Sequence, residues 1–389
     1  MKGSLRKRGE RSWEIRLYLG RDPKTGEELR QSISFKGPKK AAEAELARLV
    51  NQIETGAFLP PAKLTVSEFL DRWREYIKTR VGTRTFERYA SLIEHWIRPE
   101  LGALPLAKLQ PLHVQQLYNR ALEGPRRDGR PGGLAPQSVL HIHRVLSEAL
   151  KMAVRWQLAA RNVCDAVEPP SVRQAEIQAI DESQTVFLLD AARGTRLYIP
   201  ILLAVSCGLR RGEILALRWT DVDWVQGLLW VRRSVEQTRA GAAIKEPKSP
   251  RSRRSVALAT VALEALKEHR AQQDELRAAL GSDWQEMDLI CPRNDGSLWP
   301  PQAFTSAYRA LLARRGLTGP NFHALRHSHA SQLIRAGLDI KVVSTRLGHA
   351  KSGFTLETYG HLLPGQDQEA AQRIDRALRS AMAAFETKQ

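Results

Sequence analysis

The chain has 389 residues, with 60 lysines and arginines against 42 aspartates and glutamates, a formal net charge of +18. At roughly 100–200 residues per domain this length predicts two or three domains, and the charge favours a polyanionic partner, either nucleic acid or an acidic membrane surface. No apolar run approaches the roughly 20 residues that span a bilayer, the basic start lacks an apolar stretch behind it, and Cys164, Cys207 and Cys291 are too scattered for a disulfide framework or a thiolate metal site, so a soluble protein of the reducing cytoplasm is expected.

Trp13, Ile15, Leu17 and Leu19 alternate with Glu14, Arg16 and Tyr18, the period of a half-buried strand, and Leu29, Gln31, Ile33 and Phe35 repeat it after the turn-forming Asp22-Pro-Lys-Thr-Gly26. Pro38 then opens a helix with Leu46, Leu49, Val50 and Ile53 on one face. This small sheet with one helix carries twelve basic and five acidic residues in its first 42. Arg6, Arg8, Arg16 and Arg30 are the candidate DNA contacts, because a sheet can enter a major groove; an ordinary solvated basic face is the alternative.

Pro60-Pro61 marks a boundary, and Thr65-Val-Ser-Glu68 has the form of a capping box ahead of Phe69, Leu70, Trp73, Tyr76 and Ile77. A second helix is predicted from Thr83 to a stop at Pro99, a third from Pro111 and a fourth over Pro136–Gln157, after a Gly/Pro/Arg loop from Gly124 to Gly133. Their aromatic residues fall on the apolar stripe, which assigns them to a core rather than to base stacking. Glu168-Pro-Pro-Ser-Val-Arg-Gln-Ala reads as a linker. Beyond it, β-rich Leu228 to Val235 and Arg253 to Leu258 flank a Lys/Pro/Ser/Arg stretch, which predicts strands joined by a basic turn.

Three later segments carry chemistry. Cys207-Gly-Leu-Arg210-Arg-Gly-Glu213 sets Arg210 at a helix start, where backbone N–H groups also favour an anion; Glu213 is either a surface acid or a carboxylate that holds an arginine or histidine. His323-Ala-Leu-Arg326-His327 puts three side chains on one helical face. Its i, i+4 histidines have zincin spacing, but Ala324 stands where that motif has its glutamate and Arg326 would repel a metal cation, so anion binding through the Arg326 fork is the preferred reading. The third segment runs Leu347-Gly-His349 to Tyr359-Gly-His-Leu-Leu-Pro364.

Taken in order, an arginine, His-x-x-Arg, Gly-His and a tyrosine resemble the tyrosine recombinase family, the phage integrases, from about residue 177 onward. The resemblance implies that Arg210, His323, Arg326 and His349 surround a phosphate attacked by Tyr359, and that Lys248 in the basic turn is the general acid, with Lys245 as the competing lysine. It further implies three domains: 1–58, a β-sheet plus helix resembling an arm-binding domain; 59–170, an all-α core-binding domain; and 171–389, a mainly α catalytic domain with a small β-sheet and a tail helix. The implied activity is site-specific recombination through a 3′-phosphotyrosine, with no metal, ATP or other cofactor. The implied setting is a tetramer on core and arm attachment DNA, with excisionase and host DNA-bending proteins as further partners, serving a phage or other mobile element. Ile374, Leu378, Ala381 and Phe385 predict an amphipathic tail that packs on its own domain or on a neighbouring subunit. A DNA-binding regulator of the same fold and a type IB topoisomerase are the alternatives. The N-terminal unit and the Leu-Gly-His box favour the recombinase over the topoisomerase.

Overall fold

The computed structural model describes residues 3–21, 26–54, 64–126, 131–172, 180–246, 253–317, 320–349, 352–359 and 366–386. The chain divides into two compact units, Met1–Gln174 and Ala175–Gln389. Among the described residues no helix is long and apolar enough to cross a membrane.

The first unit opens with an antiparallel meander of β1 (Gly3–Gly9), β2 (Ser12–Arg21) and β3 (Glu28–Lys36), followed by α1 (Lys39–Glu54). Register places Leu5, Ile15 and Ile33 side by side, and Ile15 and Leu17 are buried with Leu49 of α1 in a small core. The sequence reading missed β1. Its Gly-Ser-Leu-Arg-Lys-Arg-Gly holds one large apolar residue, too few to show alternation, and pairing with β2 makes it a strand. Most of the expected turn, residues 22–25, lies outside the described residues, as does the Pro60-Pro61 boundary.

A helical bundle follows: α2 (Val66–Lys78), α3 (Thr83–Leu92), α4 (Arg98–Leu101), α5 (Pro111–Glu123) and α6 (Pro136–Arg155). The capping box is present. Glu68 N–H donates to Thr65 Oγ1 at 3.2 Å and Thr65 N–H donates to Glu68 Oε2 at 2.8 Å, satisfying two donors that a helix start leaves unpaired. The helix expected to stop at Pro99 instead continues from α3 through a π-helical turn, Ile93–Ile97, into α4. The wider turn accommodates a proline, which lacks an N–H and crowds the preceding turn of a regular α-helix. Trp73, Phe69 and Tyr118 are buried at the centre, and Trp73 stacks on Tyr89 at 5.8 Å between centroids, so these aromatics are core. Residues 127–130 of the Gly/Pro/Arg loop and 173–179 of the linker region fall outside the described residues.

The second unit is built around α8 (Tyr198–Cys207), which is apolar on all sides and buried accordingly. Around it lie α7 (Glu182–Ala192), the short α9 (Arg211–Ile214), a three-stranded sheet of β4 (Val222–Asp223), β5 (Leu228–Val231) and β8 (Arg254–Ala257), a hairpin of β6 (Ser234–Thr238) and β7 (Gly241–Lys245), α10 (Thr260–Leu280) and α11 (Pro301–Arg314). The strand reading therefore needs correction: Leu228 to Val235 is parts of two strands, and β5 pairs with β8 while β6 turns back on β7. The unit closes with α12 (Phe322–Arg335), α13 (Ile340–Leu347), α14 (Ser352–Tyr359) and α15 (Gln366–Glu386).

Candidate active site

The site forms where α8, α9, β8, α12 and α13 bring their ends together. Gly208 closes α8 with φ +66°, a left-handed conformation that glycine adopts without penalty. A Cβ there would stand 2.6 Å from the His329 ring and 2.7 Å from Leu347, so glycine is required by space as well as by backbone. Gly348 closes α13 in the same way at φ +69°.

Arg326 lies across these two helix ends. Its Nη1 donates to Gly208 O at 2.6 Å and its Nη2 to Leu347 O at 2.7 Å, and the residue is 2% exposed. Carbonyls at a helix C-terminus lack intrahelical donors and carry the negative end of the dipole, which makes them suitable partners for a buried cation. Burial and the nearby Arg210 still push the guanidinium down to about 9, so an arriving anion would relieve an existing electrostatic cost.

Arg210 is the N-cap of α9, with its side chain 39% exposed. Its backbone N–H and Nη1 both donate to Glu213, each at 2.9 Å. Glu213 also accepts a two-pronged bond from Arg254, Nη1 to Oε1 at 3.1 Å and Nη2 to Oε2 at 2.9 Å. Burial raises the Glu213 carboxyl, but Arg254 and Arg210 outweigh it and hold the group at about 2. Arg254 in turn donates from Nε to Arg346 O at 2.7 Å. Arg346 donates to the carbonyls of Ser206 and Ala257 and to His329 Nε2, while His329 Nδ1 donates to Val205 O at 2.9 Å, which sets the tautomer of that ring.

His323 and His349 occupy the same charged neighbourhood. The desolvated part of the His323 ring, with His327, Arg326 and Arg210 nearby, pushes it to about 4, although its outer side is open to solvent. Burial, Arg326, Arg210 and Arg254 do the same to His349, whose Nδ1 shares a 2.8 Å hydrogen bond with the buried Thr355 hydroxyl. Both rings are neutral at pH 7 and present a donor without adding a full charge. Tyr359 ends α14, 2% exposed, packed on Ala330, Ile334, Val343 and Leu347. Burial raises its phenol to about 12 against the pull of Arg326, and its Oη lies 2.5 Å from His327 Nδ1.

The structure thus gathers Arg210, His323, Arg326, His349 and Tyr359 into one electrostatically coupled group. Lys248 lies outside the described residues, and Lys245, at the end of β7, forms an ion pair with Glu236. Sequence reasoning missed Arg254, Arg346, His329 and the contact of His327 with Tyr359. Each depends on partners distant in sequence, and none carried a local signal. In the first unit Arg6, Arg16 and Arg30 are exposed on the sheet face opposite Ile15 and α1; Arg8 and Arg16 pair with Glu14 on that face, and Arg30 pairs with Glu28.

Residues 178–365 match the model of the phage integrase family, and residues 65–122 match the phage integrase N-terminal SAM-like domain. A XerC-like tyrosine recombinase of Caldanaerobacter subterraneus subsp. tengcongensis is 26% identical over 95% of this chain and 97% of its own length. An integrase of Streptomyces ambofaciens is 28% identical over 89% of this chain and 88% of its own length. The fold resembles that of the Tn1549 transposon integrase bound to transposon right-end DNA, with a TM-score of 0.66 at 17% identity over 80% of this chain and all of that one. It also resembles the lambda integrase tetramer on a Holliday junction, with a TM-score of 0.53 at 21% identity over 90% of this chain and 96% of that one. With its cationic centre and its tyrosine lying inside the matched region, the chain belongs to the phage integrase family of tyrosine recombinases, enzymes of site-specific DNA recombination.

Proposed function

We propose that Tyr359 attacks the scissile phosphate of a core attachment site to give a 3′-phosphotyrosine and a free 5′ end, and that a 5′-hydroxyl of the partner duplex reverses the step to complete strand exchange. The observation that carries this reading is the buried Arg326 clamped between two helix ends beside Arg210 and the two neutral histidines. Charge that builds on the phosphoryl oxygens meets donors already fixed in place, the arrangement that stabilises a transition state most economically. Arg210, the more exposed cation, makes the first contact with DNA, while His323 and His349 donate to the remaining oxygens. Lys248 protonates the departing 5′ oxygen, and Lys245, three residues earlier at the end of β7, is its rival. Fixed arginines take the part that metal ions take in many nucleases, and the phosphotyrosyl bond conserves the energy of the phosphodiester, so neither metal nor ATP is required.

The surrounding assembly follows the same reading. Residues 1–58 bind arm sites through the arginine-bearing sheet face, 59–170 close over the core DNA, and 171–389 carry the chemistry. Strand exchange between two duplexes needs four active sites, hence a tetramer. The tail helix α15, whose Ile374 and Leu378 are 62% and 58% exposed, docks on a neighbouring subunit. Excisionase and host DNA-bending proteins set direction in the cytoplasm of a host that carries the mobile element. A duplex nicked near the crossover tests the central step. The wild-type chain should become covalently attached and Tyr359→Phe should not; undiminished trapping by that variant would refute the assignment.

A further inference from the structure

We infer that His327 is the base that accepts the phenolic proton of Tyr359 during strand cleavage. The inference rests on Tyr359 being the nucleophile and assigns the one proton transfer that the five gathered residues leave without an acceptor.

The geometry is direct. His327 Nδ1 lies 2.5 Å from Tyr359 Oη, within hydrogen-bond reach across 32 residues of chain, and the two rings are tilted 48° apart at 5.8 Å. Packing of Tyr359 on Ala330, Ile334, Val343 and Leu347 holds the phenol against α12, one turn of which carries His323, Arg326 and His327. The other histidines are committed elsewhere. His349 Nδ1 bonds Thr355, His329 bonds Val205 O and Arg346, and His323 meets His327 edge-on at 4.9 Å on the solvent side.

Among the described residues, the groups that face His327 are His323 and Arg326 from its own helix, Tyr359 from α14 and His349 from the turn after α13. Burial and Arg326 lower its proton affinity, which keeps the Nδ1 lone pair free to accept from the phenol at neutral pH. A phenol raised by burial needs such an acceptor, because it does not ionise unaided. The anionic phosphodiester then strengthens the base as it arrives, since it offsets the neighbouring cations. In the forward step the Oη–P bond forms as the P–O5′ bond breaks, the phenolic proton passes to His327 Nδ1, and the 5′ oxygen takes its proton from the lysine. In rejoining, the attacking 5′-hydroxyl returns a proton to that lysine and His327 reprotonates the departing phenolate, so the enzyme is restored.

The test is single-turnover covalent trapping by the full chain on a nicked suicide duplex, comparing wild type with His327→Asn. An asparagine amide oxygen near the Nδ1 position accepts the hydrogen bond but not the proton. Cleavage should slow on the order of 100-fold with DNA affinity retained, and the acid limb of the rate profile should disappear. A duplex with a 5′-bridging sulfur, whose leaving group needs no proton, should not restore the rate. Wild-type cleavage with an unchanged pH profile, faster cleavage, or rescue by sulfur would each overturn the inference, the last by placing His327 on the leaving-group side. If the asparagine variant lost DNA binding, His327→Gln would be read in the same assay. Trapping that survived Tyr359→Phe would instead refute the nucleophile itself, so the two failures are distinct.

Discussion

The helical bundle of the first unit and the centre of the second bury their residues for opposite reasons. Around Trp73, Phe69, Leu146 and Tyr118 the interior is apolar, and the energy comes from area removed from water. Around Glu213, Arg254 and Arg326 the interior is ionic, and desolvation costs are offset only by hydrogen bonds that meet each group closely. An apolar core tolerates substitutions that conserve volume, whereas a buried charge network fails when one partner is lost, because the other remains charged and unpaired. The bundle gains its stability from packing, whereas the ionic centre commits hydrogen bonds to holding its arginines in fixed positions.

Four substitutions sharpen or break that contrast. Arg326→Ala should lower single-turnover cleavage by about 10³-fold, as loss of a preorganised donor to the transition state does, measured on the nicked duplex. A change below tenfold would mean that Arg326 only joins α8 to α13. Trp73→Ala should cost about 3–5 kcal/mol in denaturant unfolding of the first unit. If it instead left stability intact and weakened DNA binding, Trp73 would be a stacking platform rather than core. Glu213→Gln should remove about 3 kcal/mol that has a defined pH dependence. The folded carboxyl sits at about 2, below the ordinary ~4.3 of an unfolded glutamate, so its stabilisation is complete above the unfolded value and is lost as pH falls towards 2. Acid unfolding of the wild type and the variant should therefore converge at low pH, and parallel curves would show that Glu213 is not the group responsible. Thr65→Ala should cost about 1 kcal/mol through the lost cap of α2, the smallest effect, read in the same denaturant experiment.

The bundle was legible in the sequence because each helix announces itself locally: apolar residues recur at three and four, and Thr65 and Glu68 meet within one turn. The set Arg210, His323, Arg326, His349 and Tyr359 was legible for another reason, the order and spacing of residue types. What escaped was whatever depends on distant partners. Arg254 reads as one more charge in a basic stretch, yet it is buried by Glu213 from 41 residues earlier and by the carbonyl of Arg346 from 92 residues later. His327 reads as half of a histidine pair, and only the fold shows the Tyr359 hydroxyl beside it. The strand β1 and the π-helical turn before Pro99 failed for a related reason, since pairing and packing create them against weak or contrary local preference.

The clamp of Arg326 on Gly208 has a consequence for how the molecule folds. The two residues are 118 positions apart, and the Arg346 bond to Ser206 spans 140. Such long loops must close before these bonds return any energy, and chains rich in distant contacts fold slowly. Refolding should recover helical signal early and competence for covalent trapping late, so a partly folded chain would regain its secondary structure well before it could cleave a strand.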